Sequence, residues 1–116
     1  KKTWRPMPVL DMKTFNELKE NTGEDFILEL LNAFYEDTTK QMGEMRSAVS
    51  AGDAETFRRA AHSLKSNAAT FGANDLSALA RELEMMGREK NLAVGNRLEA
   101  LKEAFDLVKR QLNELR

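Results

Sequence analysis

Apolar residues recur along this chain at alternating spacings of three and four, which is the pattern of helices that bury one face. No segment alternates apolar and polar residues with the period of two that a half-buried strand shows. The pattern predicts a short helix that is capped by Asp11 and ends at Asn21-Thr22-Gly23. A long helix then runs from about Asp25 to Ala51, and its predicted inner residues are Ile27, Leu30, Leu31, Phe34, Met42, Met45 and Val49.

Glycines and capping residues divide the second half of the chain into three more helices. Gly52-Asp53 ends the long helix and begins a third one, which is closed by Phe71-Gly72. Asn74 is the predicted N-cap of a fourth helix, and the chain turns between Gly87 and Gly95 before the last helix. The predicted inner residues of the last two helices are Leu76, Leu79, Leu83, Met86, Leu98, Leu101, Phe105, Val108, Leu112 and Leu115.

Short links between long amphipathic helices make neighbours antiparallel. We therefore predict an all-α fold: an antiparallel up-down four-helix bundle with an additional short N-terminal helix. Residues 11–116 are predicted to form this domain, because a chain of 116 residues is long enough for one hydrophobic core. Residues 1–10 contain both prolines and are predicted to be an extended lead-in or linker, with Trp4 packed back on the body.

The composition disfavours several kinds of partner and site. Eighteen Lys plus Arg against nineteen Asp plus Glu leave a net charge of −1, so we expect no nucleic-acid partner. Cysteine is absent, which excludes disulfides and thiolate metal sites and fits a cytoplasmic location. No apolar stretch approaches the roughly 18–20 residues of a membrane span, so we expect no direct membrane contact. We also expect a monomer.

His62 is the only histidine in the chain, and the helical pattern turns it away from the buried face. At roughly 100° per residue, His62 lies about 140° from the centre of the apolar face of its helix. That face consists of Phe57, Ala61, Leu64, Ala68 and Phe71. The imidazole is therefore predicted to be exposed. The small neighbours predicted to leave the ring uncovered for the active site of another protein are Ala61, Ser66, Ala69 and Ala73.

Two cations are predicted to share the side of the helix that carries His62. Lys65 lies three residues after the histidine and Arg58 four residues before it. Such cations favour an added phosphoryl group through charge-assisted hydrogen bonds, and a neutral imidazole is a competent nucleophile. However, a lone exposed histidine is usually only a polar surface residue, and the two cations could belong to an ordinary solvated face. The pattern therefore leaves both interpretations open.

Other chemistry at His62 has little support in the sequence. Ser63 points elsewhere on the helix, which disfavours a Ser-His pair. One histidine without any cysteine disfavours a zinc site and excludes the two Glu-x-x-His motifs of a di-metal bundle. We therefore expect no metal site at His62. No glycine-rich nucleotide-binding loop is present.

The residues around His62 carry a more specific signal. The segment Ala61-His62-Ser63-Leu64-Lys65-Ser66-Asn67-Ala68, followed by Phe71-Gly72-Ala73 and later by Leu83-Glu84, resembles the histidine-containing phosphotransfer (HPt) domain family. The resemblance covers about Asp11 to Arg116 in helix order and is most specific within Ala60 to Ala73. Ser66 departs from the glycine that the family often has after the lysine, which predicts reduced clearance beside the ring rather than loss of function.

The resemblance implies that His62 accepts a phosphoryl group from the phosphoaspartate of a response-regulator receiver domain and passes it to another receiver's aspartate. Lys65 would stabilise the phosphoryl group, and Glu84 on the next helix would accept a hydrogen bond from the other ring nitrogen. Gly72 would end its helix in a left-handed conformation and let the next helix pack closely. The resemblance also implies a carrier that is not itself an enzyme and has no intrinsic cofactor and no ATP site. Mg²⁺ would be bound by the receiver rather than by this chain. The residues expected to contact the receiver are Arg58, Arg59, Ser66, Ala69 and Ala73.

The main alternative is a non-catalytic helical docking or scaffold domain, including an HPt-like fold that has lost the relay. The presence of both His62 and Lys65 argues against this alternative. The start at Lys1 and the proline-containing lead-in favour a module of a hybrid sensor histidine kinase, whose parent chain could carry a membrane anchor, over a free-standing shuttle.

Overall fold

The computed structural model of the protein describes residues 10–115, which form five helices and no strand. These residues are 85% helical, so the predicted all-α class is confirmed. The predicted lead-in lies outside the described residues except for Leu10, and Trp4 lies outside them as well. The helices are α1 (Met12–Thr22), α2 (Glu24–Ala51), α3 (Ala54–Thr70), α4 (Asn74–Arg88) and α5 (Arg97–Leu115).

Helices α2 to α5 form the predicted antiparallel up-down bundle, and α1 is the additional short helix. Helix α3 lies at the centre of the packing, because its main neighbours are α4 on one side and α2 on the other. Helix α5 packs against α4 and α2, while α1 packs against α2 and α3. The side chains of α3 that remain exposed therefore lie on the face that α2 and α4 do not cover.

The core is built from the apolar faces of all five helices. Phe34 on α2 is its aromatic centre, with ring centroids 4.7 Å from Phe71 and 5.9 Å from Phe105. Leu10, the last residue of the predicted lead-in, is only 1% exposed and belongs to the core. The predicted inner residues that are buried in the structure are Ile27, Leu31, Phe34, Met45, Leu76, Leu83, Leu101, Phe105, Val108 and Leu112. None of the helices formed by residues 10–115 combines the length and apolar composition needed to cross a bilayer.

Most of the predicted helix ends have the expected caps. The Asp11 carboxylate accepts hydrogen bonds from the backbone of Lys13 and Thr14, and Asp53 caps α3 in the same way. The prediction that Asn74 caps α4 is wrong, because Ala73 occupies the N-cap position and no side chain caps this helix. The turn between α3 and α4 is so tight that Asn74 is already helical. Helix α4 also continues through Gly87 to Arg88, one residue beyond the predicted start of the turn.

Gly72 has the left-handed conformation that was predicted, with φ of +79°. The predicted close neighbour was the next helix, but the residue that approaches is Asp11, at the start of α1. A Cβ atom on Gly72 would lie 2.7 Å from the backbone oxygen of Asp11. The Asp11 amide donates to the Gly72 carbonyl oxygen at 2.6 Å. The glycine therefore joins α1 to the turn that follows α3.

Candidate functional site

His62 lies on the exposed ridge of α3, where its side chain is 54% exposed. The opposite face of the helix is completely buried: Phe57, Ala61, Leu64 and Ala68 are each 0% exposed. The helical period that buries these four residues forces the imidazole outward. The packing of α3 between α2 and α4 thus holds the ring at the surface on a rigid element.

Glu84 on α4 joins the two functional candidates of α3. Its side chain is only 3% exposed, and its two carboxylate oxygens have different partners. Oε2 lies 2.9 Å from Nδ1 of His62, and Oε1 lies 2.7 Å from Nζ of Lys65. A carboxylate that accepts from Nδ1 favours the imidazole tautomer with its proton on Nδ1. Within the described part of the chain, Nε2 of His62 has no hydrogen-bond partner.

Arg88 is a third hydrogen-bond donor at this carboxylate, and sequence reasoning missed it. Its Nη2 donates to Oε2 of Glu84 at 3.3 Å, while its side chain stays 62% exposed. The two residues are four apart on one helix, a spacing at which an ion pair is expected. That spacing is the sequence signal that would have predicted Arg88 as a partner of Glu84.

The three donors keep Glu84 ionised. Burial raises the pKa of the Glu84 carboxyl, but the hydrogen bonds from Lys65, His62 and Arg88 outweigh this effect and lower that pKa from 4.5 to about 2. Glu84 is therefore an anion at neutral pH. A buried anion with three donors has a well-defined position, so it orients both the imidazole and the Lys65 ammonium.

Two further contacts set the register of α3 and α4 beside the site. Ser77 on α4 donates its hydroxyl to the carbonyl oxygen of Lys65 at 3.0 Å. Gly87 is buried against Arg58, and a Cβ atom on this glycine would lie 3.0 Å from the Arg58 Cα and Cβ atoms. Glu84 lies between these two contacts along α4. Its reach to His62 therefore depends on the close approach of the two helices.

The structure divides the small residues that were predicted to leave the ring uncovered. Ser66 and Ala69 are exposed and lie on the His62 ridge of α3. Ala61 and Ala73 are both 0% exposed. The burial of Ala61 confirms its predicted place in the apolar face of α3, whereas the expectation that Ala73 contacts the receiver is wrong. Ala61 belongs to the core face of α3, and Ala73 lies in the tight turn where α4 begins. Neither of them is available to a partner protein.

The two predicted arginines take different positions. Arg58 is half-buried and donates to both carboxylate oxygens of Glu55, at 3.2 and 2.7 Å. These hydrogen bonds lower the pKa of the Glu55 carboxyl. Arg59 is two-thirds exposed, lies 3.9 Å from the same carboxylate, and faces a shallow groove between α3 and α2. Arg58 therefore lies on the α4 side of the ridge and Arg59 on the α2 side.

Among residues 10–115, no group of three or more His, Cys, Asp or Glu side chains is placed to hold a metal ion. The polar side chains that meet at the candidate site are those of His62, Glu84, Lys65 and Arg88. The anionic carboxylate holds one ring nitrogen of His62 and leaves the other nitrogen with its lone pair, while Lys65 and Arg88 contact the same carboxylate. This arrangement suits a nucleophile that receives an anionic group from outside.

The comparisons with known proteins agree with this geometry. The family model described as "Hpt domain" matches residues 29–116, which is most of the chain. A search among curated protein sequences finds no match.

Two solved structures are similar over nearly the whole chain. Histidine-containing phosphotransfer protein B (HptB) from Pseudomonas aeruginosa PAO1 is 29% identical, with a TM-score of 0.87 over 94% of this chain and 95% of that one. Histidine-containing phosphotransfer protein MtHPt2 from Medicago truncatula is 24% identical, with a TM-score of 0.79 over 92% of this chain and 76% of that one. At 24% identity, the similarity to MtHPt2 shows a shared fold and nothing more.

Proposed function

This chain belongs to the Hpt domain family and has a histidine phosphotransfer relay role in two-component signalling, and on that basis we propose that His62 carries the phosphoryl group. Hpt domains are carriers rather than catalysts, and they interact with the receiver domains of response regulators. The observation that supports His62 is the contact between Nδ1 and the buried Glu84 carboxylate at 2.9 Å on a ring that is 54% exposed.

In the proposed reaction, Nε2 of His62 attacks the phosphorus of a receiver phosphoaspartate. The P–N bond forms while the acyl P–O bond breaks, and the aspartate carboxylate leaves. The proton on Nδ1 stays in place, so the ring becomes positively charged as the bond forms. The Glu84 carboxylate lies against Nδ1 and stabilises this charge. Transfer to the next receiver is the reverse of this step on another aspartate.

Lys65 has the second role in the proposal. Its ammonium is held 2.7 Å from Oε1 of Glu84, and its side chain is still 29% exposed. The anchored cation lies three residues from His62, on the same side of α3, and stabilises the phosphoryl oxygens during transfer. Mg²⁺ belongs to the receiver in this proposal, and the chain supplies no ATP site.

The exposed α3–α4 face also suggests how the domain works with partners. A receiver has to cover His62, so a second copy of this chain bound there would block the relay. We therefore propose a monomer that acts in the cytoplasm, the compartment that a chain without cysteine fits.

The experiment that tests the proposal is incubation with a receiver domain labelled at its phosphoaspartate. The domain should take up label that is labile in acid and stable in base, and His62→Gln should abolish it. The matched control is Ser63→Ala, which removes the neighbouring exposed hydroxyl and should keep the label. Label retained by His62→Gln would refute His62 as the acceptor. Binding without label in any form would indicate a docking domain.

A further inference from the structure

Lys90 is the only residue other than glycine with a positive φ among residues 10–115, at +61°. It lies in the turn that ends α4, where the Lys90 amide donates to the Gly87 carbonyl oxygen at 3.0 Å. The Asn91 amide donates to the Met86 carbonyl oxygen at 2.9 Å. This pair of hydrogen bonds is the Schellman motif, which places one left-handed residue at the end of a helix.

The same chain ends two other helices with the same motif and uses glycine in both. Gly52 after α2 has φ of +71°, and Gly72 after α3 has φ of +79°. At each of them, the amide of the glycine and the amide of the next residue make the same two backbone hydrogen bonds as at Lys90. A side chain in the left-handed conformation brings Cβ close to the following carbonyl oxygen, so glycine is the favourable choice. The lysine after α4 therefore gives up stability that a glycine would provide.

Lys90 lines a cleft between the start of α3 and the end of α4, which has a volume of about 310 Å³. We call it the basic cleft and define it by Glu55, Arg58, Arg88 and Lys90. Three cations thus surround the cleft against one carboxylate. Glu55 is already engaged by Arg58, and Arg88 contacts Glu84. Lys90 has no ion pair among the described residues.

The basic cleft adjoins the site of His62. Arg58 precedes His62 by four residues, which is about 6 Å along the axis of α3. Arg88 donates to the same Glu84 oxygen that lies against His62. A protein that covers His62 therefore also reaches the cleft.

We propose that the basic cleft receives an acidic side chain of the receiver domain that docks on His62, and that Lys90 is kept at a glycine position for this contact. The inference rests on the proposed function and names part of its docking surface. Charge complementarity favours a carboxylate, because the cleft presents an excess of cations beside the exposed imidazole. Fixed charges around a docking site mainly guide encounter and fix orientation.

The test compares Lys90→Gly with Lys90→Arg, using the receiver domain of the source organism that transfers fastest to the wild-type chain. Lys90→Gly should raise the melting temperature by a few degrees, because the strained residue is gone. It should also raise the KM for the phosphorylated receiver about threefold at low salt, the size of effect expected for one partly exposed ion pair. The increase should shrink as salt is added. Lys90→Arg keeps the charge and should keep the wild-type KM.

The matched control is Arg110→Gln, which removes an exposed cation of α5 away from the cleft and should leave the KM unchanged. An unchanged KM for Lys90→Gly would overturn the proposal, and so would an equal increase for Arg110→Gln. Binding of the same unphosphorylated receiver, measured by fluorescence anisotropy, gives an independent result. If no label is transferred, the proposed function fails; if Lys90→Gly binds the receiver as tightly as wild type, the cleft proposal fails.

Discussion

Gly87 on α4 rests directly on the backbone of Arg58 on α3, so that a Cβ atom at position 87 would lie 3.0 Å from the Arg58 Cα atom and 3.1 Å from its nitrogen. Backbone atoms of a packed helix cannot move aside individually. The whole of α4 would have to shift if this position were larger. Glu84 lies three residues away on the same helix, so the shift would reach the carboxylate that holds His62 and Lys65.

We predict that Gly87→Ala loosens the site, whereas Gly43→Ala strengthens the fold. Gly43 lies inside α2 with nothing within 4 Å of its Cβ position, so alanine there should stabilise by about 1 kcal/mol. At Gly87 the same helical gain is opposed by about 1–3 kcal/mol of overpacking. Urea unfolding should therefore separate the two variants, and phosphoryl uptake should slow only in Gly87→Ala. Equal stabilisation by both substitutions would show that the packing of α3 against α4 accommodates a methyl group at position 87.

Glu84→Gln should change how stability depends on pH. The hydrogen bonds to Glu84 lower the pKa of its carboxyl from 4.5 to about 2 in the fold despite its burial, so the ionised form favours folding. That contribution, on the order of 3 kcal/mol, is present above pH 4.5 and is lost as the pH falls towards 2. Glu84→Gln should be less stable than wild type at pH 7, and the difference should shrink on acidification.

The measurement is urea unfolding at several pH values between 7 and 2.5, with Glu82→Gln as the control. Glu82 is an exposed carboxylate on the same helix and pairs with Arg97. The stability of Glu82→Gln should therefore depend on pH almost as the stability of the wild type does. Parallel curves for wild type and Glu84→Gln would contradict a low pKa for the Glu84 carboxyl.

Lys65→Met should slow transfer more than Arg88→Met does. Both cations contact Glu84, but the Lys65 distance is 2.7 Å at 29% exposure and the Arg88 distance is 3.3 Å at 62% exposure. The shorter and more buried contact should be the stronger one, and we expect roughly a tenfold loss of rate for Lys65→Met. Rapid-quench measurement of phosphoryl uptake gives both rates. A larger loss of rate for Arg88→Met would show that Arg88, rather than Lys65, is the main cation that assists transfer.

Helical periodicity accounts for much of what could be predicted, because burial of one face decides which residues remain outside. The exposure of His62 and the burial of Leu64 both follow from that rule. The pattern contains no information on the register between helices. It therefore could not show that Gly87 meets Arg58 or that Ser77 reaches the Lys65 carbonyl.

The predictions that failed lie where two structural elements share a few residues. Asn74 has the chemistry of an N-cap, but the end of α3 runs so directly into α4 that Ala73 takes that position and becomes buried. The left-handed conformation of Lys90 could not be predicted from the sequence, because such helix ends are recognised by glycine. The turn was predicted to begin at Gly87 for the same reason, although that glycine serves helix packing.

Gly72→Ala should be much more damaging than Gly52→Ala, although both residues are left-handed glycines that end a helix. At Gly52 nothing lies within 4 Å of the Cβ position, so alanine there meets only the backbone strain, about 1 kcal/mol. At Gly72 the added carbon would lie 2.7 Å from the Asp11 carbonyl oxygen. The hydrogen bond from the Asp11 amide to the Gly72 carbonyl would be disturbed as well. We expect Gly72→Ala to lose at least about 2–3 kcal/mol in urea unfolding and to expose the amides of α1 to hydrogen exchange. Similar losses for the two variants would mean that α1 adapts to the larger side chain at no cost to its contact with the turn.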